Sequence, residues 1–188
     1  NTPEQLDSLD GQQYLVLRPS SDLAERYVTE QSDALALADL PHPYTGHITL
    51  RGFHEPSRRE ELTALVRSWA SAQAPIEIIG EAVDAFPEPW RILILRLARS
   101  RSLLSAYATL TDSLDSTDFH RLGERPLDDW TFHMSIVYGE TSPNEVWRTI
   151  ESERVREFEY PIREIASEVE LVSYSDGEER SEIIALGP

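Results

Sequence analysis

Two short stretches, His47-Ile48-Thr49-Leu50 and His133-Met134-Ser135-Ile136, share one pattern: histidine, apolar, hydroxyl, apolar. In an extended strand, successive side chains point to opposite faces. The pattern therefore predicts Ile48 and Leu50 on one face and His47 and Thr49 on the other. Around the second stretch, Trp130, Phe132, Met134 and Ile136 make an apolar face, and Thr131, His133 and Ser135 the opposite one. Strict alternation also sends Arg51 to the polar face and Tyr138 to the apolar one. The apolar faces are expected to pack on helices, which leaves the polar faces to line a cleft.

Working outward, each stretch is followed by a similar signal. Ser57-Arg58-Arg59-Glu60 begins ten residues after His47, and Ser142-Pro143-Asn144-Glu145 nine after His133. Both read as capping boxes that open helices, the first to about Gln73 and the second to about Glu153. Strands are predicted over Gln13–Arg18, Thr45–Phe53, Ile76–Phe86, Trp90–Ala98 and Trp130–Tyr138, with two more near Val169–Tyr174 and Glu182–Leu186. Pro87-Glu88-Pro89 reads as a hairpin turn, and the unbroken apolar run Ile92–Leu95 as a central buried strand. Further helices are predicted from Ser21 or Asp22 to about Ala36, and from Ser102 to Leu114. A polar loop spans Asp115 to Asp129. Each half thus reads strand, helix, His-bearing strand, helix, strand. That weak repeat predicts two α/β lobes related by a pseudo-twofold, and an α+β class overall.

Composition narrows the chemistry. The 188 residues contain no Cys, which removes thiol nucleophiles, disulfides and Cys-ligated zinc. All 17 basic residues are Arg; without Lys there is no P-loop lysine, Schiff base or lysyl-nucleotide intermediate. The net charge of -17 opposes long polyanions, so a small phosphorylated substrate or a short RNA end fits better than a duplex. Salt adaptation or genome composition would produce the same acidity. No apolar run approaches the ~18 residues of a membrane span, and no signal peptide is visible, so a cytoplasmic location is expected.

A pseudo-twofold would bring two imidazoles and two hydroxyls to one small space. That set suits a phosphodiester. One histidine takes a proton from water and the other protonates the leaving alkoxide, while Thr49 and Ser135 hold the non-bridging oxygens. Imidazole titrates near neutral pH, so one ring can start neutral and the other charged. No metal or other cofactor is expected. Each histidine taken alone reads as a satisfied strand residue; the repeated pair favours a shared site.

With both His-x-Thr/Ser motifs in place, the chain resembles the 2H phosphoesterases. The resemblance implies one domain over residues 1–188, built as two pseudo-symmetric α/β lobes with antiparallel sheets around a water-filled cleft. It implies His47 and His133 as catalytic, and Thr49 and Ser135 as substrate-binding. Ile48-Thr49-Leu50-Arg51-Gly52-Phe53 is similar to the 2'-5' RNA ligase-like branch. His133-Met134-Ser135-Ile136-Val137-Tyr138-Gly139 is similar to the cyclic phosphodiesterase branch of plants and fungi. The expected activity is hydrolysis of a ribose cyclic phosphate: a 2',3'-cyclic nucleotide or RNA end, or ADP-ribose 1'',2''-cyclic phosphate. A 2'-5' RNA end-joining enzyme and a non-catalytic binder of nucleotides or RNA ends are the alternatives. Ring-opening in this family points to His133 as base and His47 as acid. A monomer is expected, with no membrane and no duplex DNA as partner.

Other residues admit two readings. Arg51 is a candidate phosphate or ribose contact, or a salt-bridged strand-end arginine. Tyr14, Phe53, Trp90 and Tyr138 are candidate base-stacking groups, or packing residues. His42, His54 and His120 read as turn, surface or loop residues, and Asp128-Asp129 as a solvated turn. The loop carrying Arg121 and Arg125 is placed to cover the cleft.

Overall fold

The computed structural model describes residues 2–188. A short helix α1 (Pro3–Ser8) leads into β1 (Gln12–Leu17), α2 (Asp22–Leu37), β2 (Ile48–His54), α3 (Arg59–Ser71) and β3 (Ile76–Phe86). The chain continues through β4 (Ile92–Leu97), α4 (Arg101–Asp115), the two-residue β5 (Arg121–Leu122), a 3-10 turn at Leu127–Asp129 and β6 (His133–Tyr138). It ends with α5 (Asn144–Arg154), β7 (Arg156–Ala166), β8 (Glu168–Ser175) and β9 (Glu178–Ala185). Among the described residues, no helix is long and apolar enough to cross a membrane.

The strands form two antiparallel sheets, ordered β5-β2-β1-β8-β9 and β6-β4-β3-β7. The lobes are therefore not the two halves of the sequence. The tight turn at Pro87–Glu88–Pro89 makes β3 and β4 antiparallel neighbours, which carries β3 out of the first half into the second sheet. The last hairpin, β8–β9, returns to the first sheet through β1. The pseudo-symmetry survives in the sheets themselves, where β2-β1-β8-β9 corresponds to β6-β4-β3-β7. Ile92–Leu95 lies between β6 and β3, and Leu93, Ile94 and Leu95 are buried.

Helix α1, strand β7 and the two-residue β5, inside the stretch read as a polar loop, escape the sequence reading. Seven of the eleven residues of β7 are exposed and Pro161 sits among them, which masks the alternation of Phe158, Tyr160 and Ile162. Its place at the edge of its sheet tolerates both features. Helix α1 rests on a local device: Thr2 Oγ1 accepts from Gln5 N–H, and Gln5 Oε1 accepts from Thr2 N–H. Conversely, neither expected capping box forms. Helix α3 starts at Arg59 after an Arg58 with no side-chain cap bond. The Ser142 hydroxyl donates back to Gly139 O at 2.7 Å instead of capping α5.

Helix α2 is the part that joins the lobes. It follows β1 in sequence but packs on β6, β7 and α5. Its Leu23, Tyr27 and Ala34 enter the common apolar core. Buried Glu30 takes ion pairs from Arg26 on its own helix, Arg154 at the end of α5 and Arg156 at the start of β7. Burial alone would raise the Glu30 carboxyl; its bonds to Arg156 and Arg154 outweigh that and hold it below the usual range.

The same helix clasps the loop that precedes His47 to the strand that begins at His133. Tyr27 Oη donates to Ser135 O at 2.8 Å. Gln31 Nε2 lies 3.2 Å from Pro43 O and 3.0 Å from Ile136 O. The Tyr138 N–H donates to Pro41 O at 2.8 Å. Gly46 presses into this joint: a Cβ there would lie 2.6 Å from Met134 Cε and 2.7 Å from the Tyr27 ring. Replacing Gln31 by Ala strands two carbonyls in a partly buried place. Denaturant unfolding of Gln31→Ala is expected to show a loss of about 1–3 kcal/mol, with Tyr27→Phe costing about 1 kcal/mol.

Candidate active site

His47 lies one residue before β2, and His133 opens β6. Around both, burial alternates as the sequence predicts. Ile48 and Leu50 are buried while His47 and Thr49 are half-buried; Met134 and Ile136 are buried while His133 and Ser135 are half-buried. Both strands then break the alternation at the same point. Leu15 pairs with Arg51 and Val16 with Thr49, so Leu50 is an extra residue in β2. Leu93 pairs with Val137 and Ile94 with Ser135, so Ile136 is an extra residue in β6. Each motif thus carries a bulge immediately after its hydroxyl residue, and a bulge reverses the facing of the residues beyond it.

This moves two residues from their expected places. Arg51 leaves the polar face and is 1% exposed. Its guanidinium lies 4.5 Å from the Tyr107 ring centroid, donates to Thr111 Oγ1 at 2.8 Å and pairs with Glu124 at 3.2 Å. It does not reach the cleft. Tyr138, expected on the apolar face, turns out to solvent and lines the cleft instead. It interacts with the Ser135 side chain, and burial raises its phenol above the ordinary value.

The two imidazoles are held alike. His47 Nδ1 lies 3.0 Å from Thr45 O, and His133 Nδ1 lies 2.7 Å from Thr131 O. In each case the carbonyl two residues upstream accepts, so Nδ1 carries the proton and Nε2 is left free to exchange one. The motif strands come close: β2 and β6 approach within 8 Å between Cα atoms. His133 also feels the charge of His47. Burial is the main cause that pushes both rings below the ordinary imidazole value; the carbonyl bonds work against it. Around His47, Arg18 lowers the value further, whereas Glu170 and Glu179 raise it. For His133 the neighbouring charge that acts is His47, which lowers it.

A cleft of about 560 Å³ opens beside His47 and Thr49. Sequence reasoning missed much of its wall. Tyr14 and Val16 of β1, and Arg18 one residue past its end, alternate and all reach the cleft, as do Val172 and Tyr174 of β8. That period of two was legible, but nothing local marked β1 as neighbour to a histidine strand. Arg18 donates to Thr45 Oγ1 at 2.6 Å and pairs with Glu170. His42, read as a turn residue, also lines the cleft. His54 and His120 pair with each other, ring centroids 6.0 Å apart. Phe53 is fully buried in the core, whereas Trp90 is 54% exposed.

Residues 21–178 match the sequence profile of the 2'-5' RNA ligase superfamily. The chain belongs to this superfamily. No curated protein sequence matches it. Among solved structures, TT0787 of Thermus thermophilus is similar at a TM-score of 0.69 and 14% identity, over 93% of this chain and 97% of that one. E. coli LigT complexed with NADP+ is similar at 0.66 and 13%, over 95% and 99%. Kluyveromyces marxianus Usb1 is similar at 0.56 and 14%, over 95% and 100%. At these identities the likeness is one of fold. This member of the 2'-5' RNA ligase superfamily is an α+β protein of the 2H phosphoesterase kind, with one motif strand in each of its two sheets.

The depressed imidazoles have a consequence for stability. Between their lowered folded values and the unfolded value of about 6.5, the unfolded chain binds protons that the folded chain refuses. Stability then rises with pH in that window and is lost as pH falls below about 6.5. Unfolding midpoints measured from about pH 7.5 to 5 are expected to decline, and to decline less in the double variant His47→Gln/His133→Gln.

Proposed function

We propose that this protein is a metal-independent phosphoric diester hydrolase that opens a ribose cyclic phosphate by two-histidine acid-base catalysis. The observation that carries the reading is the matched pair of imidazoles, each with Nδ1 tied to a carbonyl and Nε2 free. A mere binder of nucleotides needs no such pair of proton-transfer groups.

His133 is the base. Burial and the nearby His47 keep it neutral, so its Nε2 takes a proton from the attacking water. His47 is the acid: burial and Arg18 push this ring down too, but Glu170 and Glu179 work against them. Among the described residues no carboxylate does so for His133, so of the two His47 holds its proton more readily. As the water oxygen bonds to phosphorus, the ribose oxygen leaves and takes the proton from His47 Nε2. The products are a phosphomonoester and a free ribose hydroxyl, with the two imidazoles exchanged in protonation. Thr49 and Ser135 donate to the non-bridging oxygens as charge builds. Tyr138, beside Ser135, helps to orient that hydroxyl. E. coli LigT has been solved with 3'-AMP, ATP and NADP+, which supports a nucleotide-sized ligand in a fold of this kind. The net charge of -17 favours a small ligand over a long nucleic acid.

A panel of 2',3'-cyclic nucleotides and ADP-ribose 1'',2''-cyclic phosphate, assayed with and without EDTA from about pH 5 to 8, tests this directly. Turnover of at least one compound, unaffected by chelation, is expected; turnover of none discards the hydrolase reading. His47→Ala and His133→Ala are expected to lose ~10²–10⁴-fold in rate. Thr49→Ala and Ser135→Ala are expected to lose ~10–10³-fold.

The acid and base are separable by pH and by leaving group. The kcat/KM profile of the free enzyme is expected to be a bell centred below about 6.5, because both imidazoles are depressed. An aryl phosphodiester needs no proton on its leaving group and is expected to rescue His47→Ala but not His133→Ala. The opposite pattern reverses the assignment.

A further inference from the structure

Beside His133 lies a second cavity, of about 380 Å³, which shares no lining residue with the cleft beside His47. Its walls are apolar and largely aromatic: Phe86, Pro87, Trp90, Ile92 and Trp130. Two of these rings are held in place. Phe86 stands edge-on to the His133 imidazole, centroids 4.8 Å apart at 85°. Trp130 packs on Tyr107 at 5.6 Å. Trp90, near the tip of the β3–β4 hairpin, lines this cavity and leaves 54% of its surface in solvent. Arg125 and Asp129 also line the cavity. Among the described residues, neither side chain has a hydrogen bond or ion pair, so both charges are free to meet a ligand.

An aromatic-walled cavity with one free cation and one free anion, next to the His133 imidazole, matches a planar ring with a polar edge. An acyl chain has no use for the charges, and a sugar has little for a mainly apolar wall. Aromatic side chains bind nucleobases by stacking, which contributes roughly 5- to 150-fold in affinity per base. Guanine fits the two charges best. Its N1–H and N2–H lie parallel and can both donate to one carboxylate, while O6 and N7 accept from an arginine fork. We infer that this cavity is a base pocket that selects guanine, with Trp90 stacking on the ring, Asp129 taking N1–H and N2–H, and Arg125 facing O6 or N7. The inference rests on the proposed hydrolysis for its meaning: the substrate is then a cyclic phosphate carried by guanosine.

Calorimetric titration of the intact protein with guanosine 3'-monophosphate, adenosine 3'-monophosphate and ribose 3-phosphate tests the pocket without relying on turnover. The wild type is expected to bind the guanosine compound about tenfold or more tighter than the adenosine one. Trp90→Ala, at an exposed position, is expected to weaken both nucleotides by roughly 5- to 150-fold and to leave ribose 3-phosphate unchanged. Asp129→Asn turns one acceptor into a donor facing the guanine N–H groups and is expected to abolish the preference over adenine. Equal wild-type affinity for the two nucleotides, or an unchanged affinity in Trp90→Ala, overturns the inference. A wild type that shows the expected order and cleaves no cyclic phosphate keeps the base pocket and discards the hydrolysis.

Discussion

The bonds from α2 to the β6 bulge hold the site together. Tyr27 and Gln31 reach from one helix to the carbonyls of Ser135 and Ile136, and Gln31 also reaches Pro43 in the loop before His47. A bulge exposes carbonyls that a regular ladder would use, and buried carbonyls need partners. Here α2 supplies them, and the same amide that satisfies the second motif fixes the approach to the first. The core residues Leu23 and Ala34 and the Glu30 ion pairs hold that helix on the second sheet. Each lobe therefore sets the position of the other lobe's histidine.

The paired bulges matter as much as the paired histidines. One reversal after Thr49 turns Arg51 into the body of the protein, where Glu124 and the Tyr107 ring hold it. The matching reversal after Ser135 turns Tyr138 into the cleft. The cleft thereby trades an arginine for a phenol on its motif strands, and its guanidinium comes from the end of β1, through Arg18. That arginine neighbours His47 and is balanced by Glu170, so the cationic character of the site is moderate and local. The free charges at the second cavity, Arg125 and Asp129, come from the loop that precedes β6 and from no motif at all.

Much was legible in the residues alone. A period of two is a local property of an extended chain, so the polar and apolar faces of both motif strands followed from His47 to Leu50 and from His133 to Ile136 without a partner strand. The hairpin at Pro87–Pro89, the central run Ile92–Leu95 and the α+β class followed from equally local signals. So did the exclusion of lysyl and thiol chemistry, which needs only the absence of two residue types. The tertiary structure decided what depends on register and on contact. It placed the bulges at Leu50 and Ile136, which exist only relative to β1 and β4. It made an edge strand of Arg156–Ala166, where Pro161 argues locally against a strand and only an edge position admits it. It exchanged β3 and β8–β9 between the lobes and set α2 across them. Alternation along a strand is a matter of backbone geometry, but which neighbour it pairs with is settled by burial over the whole chain.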